Sequence, residues 1–169
     1  MKKPLAYLAT SILMLWSGYL TAAETTFRSG PEQVPLIELY TSQGCSSCPP
    51  ADRWMSNLKD EPGLWRDFVP VAFHVDYWDY IGWRDPFAQH KFGQRQRKIA
   101  RQGGARTVYT PGMILAGKDW WGWRNSPAPD RGTERPGELV VTVEGQSVEV
   151  SFAPLKAPAG KVQINVAWL

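Results

Sequence analysis

Residues 36–52 read LIELYTSQGCSSCPPAD. A short apolar run leads into a polar turn that carries Cys45 and Cys48, the only two cysteines of the sequence. Two prolines follow at once, and proline is tolerated only in the first turn of a helix. The stretch therefore predicts a buried strand, a turn carrying Cys-x-x-Cys, and a helix that begins at Ser46 or Ser47, either of which could cap it.

A strand, a Cys-x-x-Cys turn and a helix form the layout of a thioredoxin-like redox site. The start of a helix presents unpaired N–H groups and the positive end of the helix dipole, which stabilise a thiolate. The second thiol, three residues on, can reach back and close a disulfide, so the pair can take up and release two electrons. From position we assign Cys45 as the attacking thiol and Cys48 as the resolving thiol.

Two other uses of the cysteines compete with this interpretation. A structural disulfide that closes a loop of about four residues would contribute only roughly 2 kcal/mol, and it would join residues that are already neighbours. A zinc site needs four ligands, and the sequence has no second Cys-x-x-Cys and no His-x-x-x-His pair. A redox pair is the favoured interpretation.

The chain begins with features of an export signal. Lys2 and Lys3 precede an apolar run, residues 5–20, and small residues end at Ala23, so residues 1–23 are predicted to be a signal peptide. The apolar run is short for a spanning helix, although an uncleaved membrane anchor is the alternative. In either case we expect the body outside the cytoplasm, periplasmic or secreted, where disulfides persist.

Composition limits the function classes. Removing residues 1–23 leaves 146 of the 169 residues, enough for one ordinary domain and a small extra element. The formal charge falls from +3 to +1, because the signal holds two lysines and no acidic residue. A nucleic-acid binder would need a concentrated basic face. We therefore expect no nucleic-acid partner and no stable insertion in a membrane after cleavage.

A second buried strand is predicted at residues 68–77, FVPVAFHVDY. The segment that follows carries Asp76, Trp78 and Asp79, and it could form a wall beside the thiols that holds an aromatic or peptide substrate. Either carboxylate could then relay a proton to a buried thiol. An Asp-rich turn with surface-packed aromatics is the simpler interpretation, because nothing in the sequence shows that the segment lies near Cys45.

A second helix is predicted to begin at Asp85-Pro86, a cap followed by proline, and to run to about Gln102, before two glycines. Its basic side is typical of a solvated helix face. After it, Thr110-Pro111 precedes a strand. Taken with the upstream Cys-x-x-Cys, this position favours a cis peptide bond and a role in docking the substrate; a trans proline that opens an edge strand is the alternative.

A soft-metal site is the alternative for the same region. Met113 follows the proline closely, and a thioether near two thiols suits copper(I). The ligand set would then be Cys45, Cys48, Met113 and His74. A methionine in a core strand and a packed core histidine are the simpler interpretations of the last two residues.

The C-terminal part has a β-rich pattern. Residues 125–137 are rich in Pro, Arg and Asp and read as a linker. Residues 139–143 and 148–152 predict a β-hairpin, and residues 161–169, KVQINVAWL, predict a third strand. A three-stranded unit with an open edge is marginal, which points to truncation of a longer protein or to pairing of this edge with another surface.

Three strings of residues resemble one known family: ELYTSQGCSSCPPAD at 38–52, HVDYWDYIGWRDPFA at 74–88 and VYTPGMILAG at 108–117. They are similar to the exported thioredoxin-like family catalogued as domain of unknown function 1223, within the thioredoxin superfamily. The resemblance implies an α/β fold with a thioredoxin-like core at residues 24–124 and, beyond the linker, a β-rich C-terminal extension at residues 138–169. It also implies that the cysteines and the Thr110–Pro111 step form the redox centre.

The chain departs from well-studied thioredoxins in two places near the site. Gln43-Gly44 stands where a tryptophan would precede Cys45, and the dipeptide between the cysteines is Ser-Ser. That dipeptide helps to set the reduction potential, so the direction of electron flow is left open. The final helix of a thioredoxin core is also hard to find between Trp120 and Pro136.

From these features we expect an exported thiol–disulfide exchange protein that acts on protein or small thiol substrates through Cys45 and Cys48. We expect no organic cofactor, because the sequence has no Gly-rich phosphate loop. Two alternatives remain: a copper-binding protein, and a thioredoxin-shaped binding module whose disulfide is structural.

Overall fold

Two β-sheets organise the part of the chain that the computed structural model describes, residues 23–158 and 160–166. With two α-helices they make an α/β fold, as predicted. The predicted signal peptide lies, except for Ala23, outside the described residues. The strands are β1 (Thr25–Arg28), β2 (Leu36–Thr41), β3 (Val69–His74), β4 (Gly112–Leu115), β5 (Lys118–Asp119), β6 (Gly137–Glu144) and β7 (Ser147–Pro154); the helices are α1 (Pro49–Asn57) and α2 (His90–Arg101).

The first sheet has the order β3-β2-β4-β5, with β2 in its centre. Strand β2 pairs in parallel with β3, so that Thr41 lies opposite His74, and antiparallel with β4, so that Tyr40 lies opposite Gly112. The carboxyl ends of β2 and β3 and the start of β4 therefore meet at one edge of the sheet. The turn with the cysteines, the segment after β3 and the Thr110–Pro111 step all come together there.

Each face of this sheet carries its own apolar core, because successive side chains of a strand point to opposite faces. Ile37 and Leu39 of β2 pack on the α1 side together with Met113 of β4, which is only 1% exposed. Tyr40 belongs to the α2 side. Met113 is thus a core residue, as the simpler interpretation held.

Aromatic residues pack on the α1 side of the sheet. They come from the part of the chain in which the sequence showed no clear final helix. Residues 121–125 form a short 3₁₀ turn, and among the described residues between 120 and 136 there is no α-helix. Trp123, 4% exposed, packs edge-on against Trp54 of α1 with ring centroids 6.0 Å apart, and Trp120 does the same at 5.3 Å. These indoles cover the core of the α1 side.

One charged side chain of β2 is buried on the α2 side. Glu38 is 2% exposed, and its two carboxylate oxygens accept hydrogen bonds from Arg95 Nε at 2.6 Å and Nη2 at 2.9 Å. The Tyr40 hydroxyl donates to the same carboxylate at 2.7 Å. Burial, followed by the neighbouring Glu38 carboxylate, raises the pKa of the Tyr40 hydroxyl far above its ordinary value.

Both helices begin later than predicted. Helix α1 begins at Pro49 rather than Ser46 or Ser47, because the residues between the cysteines form a turn in which the Cys48 N–H donates to the Cys45 carbonyl. Helix α2 begins at His90 rather than Asp85. The Asp85 carboxylate caps no helix; it is 2% exposed and serves the site described below.

The second sheet has the order β1-β6-β7. The predicted hairpin is confirmed, with Val141 of β6 opposite Val150 of β7. The predicted third strand is wrong for residues 161–166, which have no regular structure; residues 167–169 lie outside the described part. Instead β1, in a segment that looked like a polar lead-in, pairs antiparallel with β6. This pairing joins residues more than 100 positions apart, which no local pattern indicates.

The residues predicted as a linker make hydrogen bonds to other segments of the chain. Arg131 donates to the Arg66 carbonyl at 2.6 Å and to the Ser29 carbonyl at 3.5 Å. Within the described residues, no helix has the length and apolar character needed to cross a membrane.

Candidate redox site

Cys45 and Cys48 are joined in a disulfide directly beyond the carboxyl end of β2, with their Cα atoms 5.4 Å apart. The turn that carries them closes when the Cys45 N–H donates to the Ser42 carbonyl at 3.0 Å. The two cysteines are 3% and 0% exposed, respectively. The sequence thus identified a disulfide-forming pair, and the structure adds that both sulfurs are covered in the oxidised protein.

The start of α1 offers the sulfurs fewer free N–H groups than a helix start without prolines would. Pro49 and Pro50 occupy the first two positions of α1 and have no N–H. The next two N–H groups, of Ala51 and Asp52, donate to the Cys48 carbonyl at 2.8 and 3.1 Å. A thiolate here would therefore depend on other donors.

Ser47 supplies such a donor. Its Oγ lies 3.5 Å from Cys45 Sγ, within hydrogen-bond range for sulfur. In the reduced protein the hydroxyl can donate to a Cys45 thiolate, and a hydrogen bond to the charged form favours it. The sequence indicates Ser47 only as a potential helix cap, and its contact with Cys45 comes from the structure.

Trp78 links the cysteine turn to the Thr110–Pro111 step. It packs on Gly44, where a Cβ atom would come within 3.3 Å of Trp78 Cβ and 3.5 Å of Ile81 Cδ1. Its indole Nε1 donates to Thr110 Oγ1 at 2.7 Å. The segment after β3 therefore lies beside the cysteine turn, which answers the question of proximity that the sequence left open.

The predicted cis peptide bond between Thr110 and Pro111 is confirmed. Because Gly112 pairs with Tyr40, Pro111 follows in register beside Thr41, at the end of the strand that leads to the cysteines. Thr110 and Pro111 are both half-buried. A substrate backbone that approached the disulfide from this edge would meet them.

The two candidate proton relays have other partners. Asp76 accepts a hydrogen bond from His90 Nδ1 at 2.8 Å, at the exposed start of α2. Asp79 Oδ1 accepts the backbone N–H of Asp85 at 3.2 Å. Among the described contacts, neither carboxylate reaches a cysteine sulfur.

Asp52 is a further carboxylate near the site, and the sequence pattern did not single it out. It lies in the first turn of α1, four residues after Cys48, and its Oδ1 accepts a hydrogen bond from the Thr41 hydroxyl at 2.7 Å. Residues four apart share one face of a helix. This spacing was the available signal that Asp52 sits close to the site.

His74 and the buried Asp85 form a pair at the same edge of the sheet. His74 Nδ1 lies 2.6 Å from Asp85 Oδ2, and that oxygen also accepts the Gln43 N–H at 2.8 Å. Asp85 Oδ1 accepts the Phe87 N–H at 2.9 Å. Burial alone would raise the pKa of the Asp85 carboxyl, but the hydrogen bonds from His74 and the two backbone amides outweigh it, so the pKa lies below its ordinary value.

The predicted copper ligands are not brought together as a set. Met113 points into the core of the α1 side, whereas a ring nitrogen of His74 is engaged by Asp85. Among the described residues, no three His, Cys, Asp or Glu side chains converge in a way that could hold a metal ion.

Large apolar side chains remain exposed beside the turn. Trp83 is 58% exposed and donates from Nε1 to the Gln43 side-chain oxygen at 2.9 Å. Tyr80, Ile81 and Phe87, in the same segment, are 82%, 49% and 60% exposed. Of these, Ile81 and Trp83 lie beside Gly44 and Gln43, in the turn that carries Cys45.

The comparisons with known proteins concern most of the chain. The model of a family described as "protein of unknown function (DUF1223)" matches residues 36–167. No curated protein matches. An X-ray structure of a protein from Agrobacterium tumefaciens is 39% identical over 56% of this chain, with a TM-score of 0.45, and the match spans 44% of that protein's length. On the family match, the chain belongs to the DUF1223 family of proteins of unknown function.

Proposed function

We propose that this protein is an exported thiol–disulfide oxidoreductase of the thioredoxin superfamily, acting through Cys45 and Cys48. The observation that carries the proposal is the Cys-x-x-Cys disulfide at the carboxyl end of the central strand, between Trp78 and the start of α1. Export rests on the charged and apolar pattern of residues 1–23.

The topology supports a thioredoxin-like core. A parallel β2–β3 pair is extended by the antiparallel strands β4 and β5. The cysteines stand between the first strand of this sheet and α1, and the Thr110–Pro111 step stands between α2 and β4. This order of elements is compatible with a thioredoxin-like core.

Reduction of a substrate disulfide would proceed in two exchanges. The Cys45 thiolate attacks one substrate sulfur, the substrate S–S bond breaks, and the departing sulfur takes a proton. Cys48 then loses its proton and attacks Cys45 Sγ, which releases the second substrate sulfur as a thiol. Two electrons pass to the substrate, and the Cys45–Cys48 disulfide forms. The same steps in reverse oxidise a substrate dithiol.

Access to Cys45 requires a local movement, because the residue is only 3% exposed. Ile81 is half exposed and lies beside Gly44, so its side chain is well placed to turn away. The surrounding exposed aromatic residues could then hold an apolar segment of the substrate. Trp78 would stay in place, since its indole is hydrogen-bonded to Thr110.

The test is exchange with glutathione by the chain that starts at Glu24. We expect the wild-type disulfide to exchange, Cys45→Ser to abolish mixed-disulfide formation, and Cys48→Ser to trap the mixed disulfide on Cys45. Ser47→Ala should slow attack by Cys45 by about tenfold or more, the effect of losing one hydrogen bond to a charged group. Ser46→Ala, an exposed neighbour that makes no such bond among the described contacts, is the matched control.

A binding module with a structural disulfide is the second candidate. The burial of both cysteines and the two prolines without N–H groups favour it. A wild-type disulfide that fails to exchange with glutathione between pH 6 and 9, in a folded protein, would support this candidate and overturn the proposed exchange.

A further inference from the structure

The turn from Ser42 to Cys45 is held by the segment that follows β3. The Gln43 backbone N–H donates to Asp85, and the Gln43 side chain accepts from Trp83. Gly44 packs on Trp78. Because the Cys45 N–H closes this turn on the Ser42 carbonyl, the position of Cys45 depends on Asp85 through a single hydrogen bond to Gln43.

One carboxylate oxygen of Asp85 contacts both the cysteine turn and the imidazole of His74. Oδ2 accepts the Gln43 N–H and also lies 2.6 Å from His74 Nδ1. The Asp85 side chain is fully buried, whereas the His74 side chain is 25% exposed. Among the described contacts, the other charged group against this pair is Asp79, which accepts the Asp85 backbone N–H; the ring of Phe87 packs on His74 at 5.4 Å.

The charge of this pair changes with one proton. While Nδ1–H donates to Asp85, the other ring nitrogen of His74 is the atom that exchanges protons with solvent. With that proton the pair is neutral, and without it the pair carries one negative charge. Histidine is the side chain that makes this change between about pH 5 and 8. The Asp85 carboxylate holds the N–H of Gln43, two residues from Cys45, and a negative charge near a thiol disfavours its thiolate.

We propose that His74 and Asp85 are a positioning pair that makes the reactivity of Cys45 depend on pH. They hold the turn through Gln43, and protonation of His74 neutralises the pair that holds it. This inference rests on the proposed exchange function and names its regulation. Neither residue reacts with substrate, and both act through the turn that carries Cys45.

The first test uses wild-type protein and its two histidines. Proton titrations of both rings are followed by NMR in the oxidised and the reduced chain. A Cys45 thiolate should shift the titration of His74 upwards by about half a pH unit, roughly threefold in proton affinity, because a negative charge favours the protonated ring. His90, which pairs with Asp76 on the surface, should titrate alike in both states. Equal titration of His74 in both states would overturn the inference.

The second test uses His74→Gln, which keeps a donor for Asp85 but cannot take a charge. The rate at which iodoacetamide alkylates reduced Cys45 is divided by its rate with a free thiol at the same pH. This ratio should be about threefold lower than in wild type at pH 5.5 and the same at pH 8. His90→Gln, which makes the same change in the other His–Asp pair, should match wild type at both values. Far-ultraviolet circular dichroism confirms that each variant is folded.

The outcomes separate this inference from the proposed function. If wild type exchanges with glutathione but His74→Gln and His90→Gln have the same pH profile, the pair does not regulate Cys45 and the exchange function stands. If the wild-type disulfide is inert at every pH, the exchange function fails and this inference fails with it.

Discussion

Replacing Arg95 with methionine should strongly destabilise the fold, because it leaves the Glu38 carboxylate buried without its charged partner. The Glu38 side chain is 3% exposed, and Arg95 provides two of its three hydrogen bonds. Removing one member of a buried ion pair costs about 3–5 kcal/mol. The Arg95 side chain is 40% exposed and the Tyr40 hydroxyl remains, so we expect a smaller loss than that range, about 2–3 kcal/mol.

Urea and thermal unfolding, followed by circular dichroism on the chain from Glu24, measure this loss. At about 2–4 °C per kcal/mol, Tm should fall by about 4–12 °C. Lys98→Met, on the exposed surface of the same helix, is the matched control and should change stability by less than about 0.5 kcal/mol. Glu38→Gln combined with Arg95→Met should lose less than Arg95→Met alone, because the buried group is then neutral. An Arg95→Met variant as stable as Lys98→Met would refute the reasoning.

Three further predictions concern packing and pH. Gly104→Ala should destabilise by more than about 2 kcal/mol in urea unfolding, because its Cβ would collide with the Gly117 carbonyl oxygen; Gly160→Ala, which has open space, should be near neutral. Trp123→Ala should cost about 3–5 kcal/mol in the same assay through loss of core contacts; a loss below about 1 kcal/mol would contradict its core role. The folded pKa of Asp85 lies below its ordinary value of about 3.9, so its contribution is present above that value and disappears as pH falls through the folded pKa. Asp85→Asn should therefore flatten the acid limb of the stability curve below about pH 4; an unchanged limb would show that Asp85 does not contribute.

The local features of the site followed from the sequence because short-range chemistry decides them. Two prolines directly after Cys48 restrict where a helix can begin, and a cysteine three residues earlier can close a disulfide. Both of these features depend on residues within a few positions of one another. The cis form at Thr110–Pro111, which the structure contains, was favoured because an X-Pro bond before a strand was taken together with the distant Cys-x-x-Cys.

The features that the sequence did not reveal depend on distant partners. Asp85 has the pattern of a helix cap, but its carboxylate is drawn inward by His74 and by the Gln43 N–H. Residues 25–28 lack a strand pattern, yet they pair with β6. Residues 161–166 have an alternating pattern but no partner strand within the described part of the chain, and Val162, Ile164 and Val166 are 52%, 47% and 60% exposed. Alternation alone did not make a strand there, because a strand also needs a neighbour to receive its hydrogen bonds.

The reduction potential of the Cys45–Cys48 disulfide tests the central claim most directly. It is measured by equilibration with glutathione on the folded chain that starts at Glu24. An exchange protein should have a potential between about −120 and −270 mV, the range of known thiol–disulfide exchange proteins. A potential below about −300 mV, typical of structural disulfides, would contradict the account and favour a binding module with an inert disulfide.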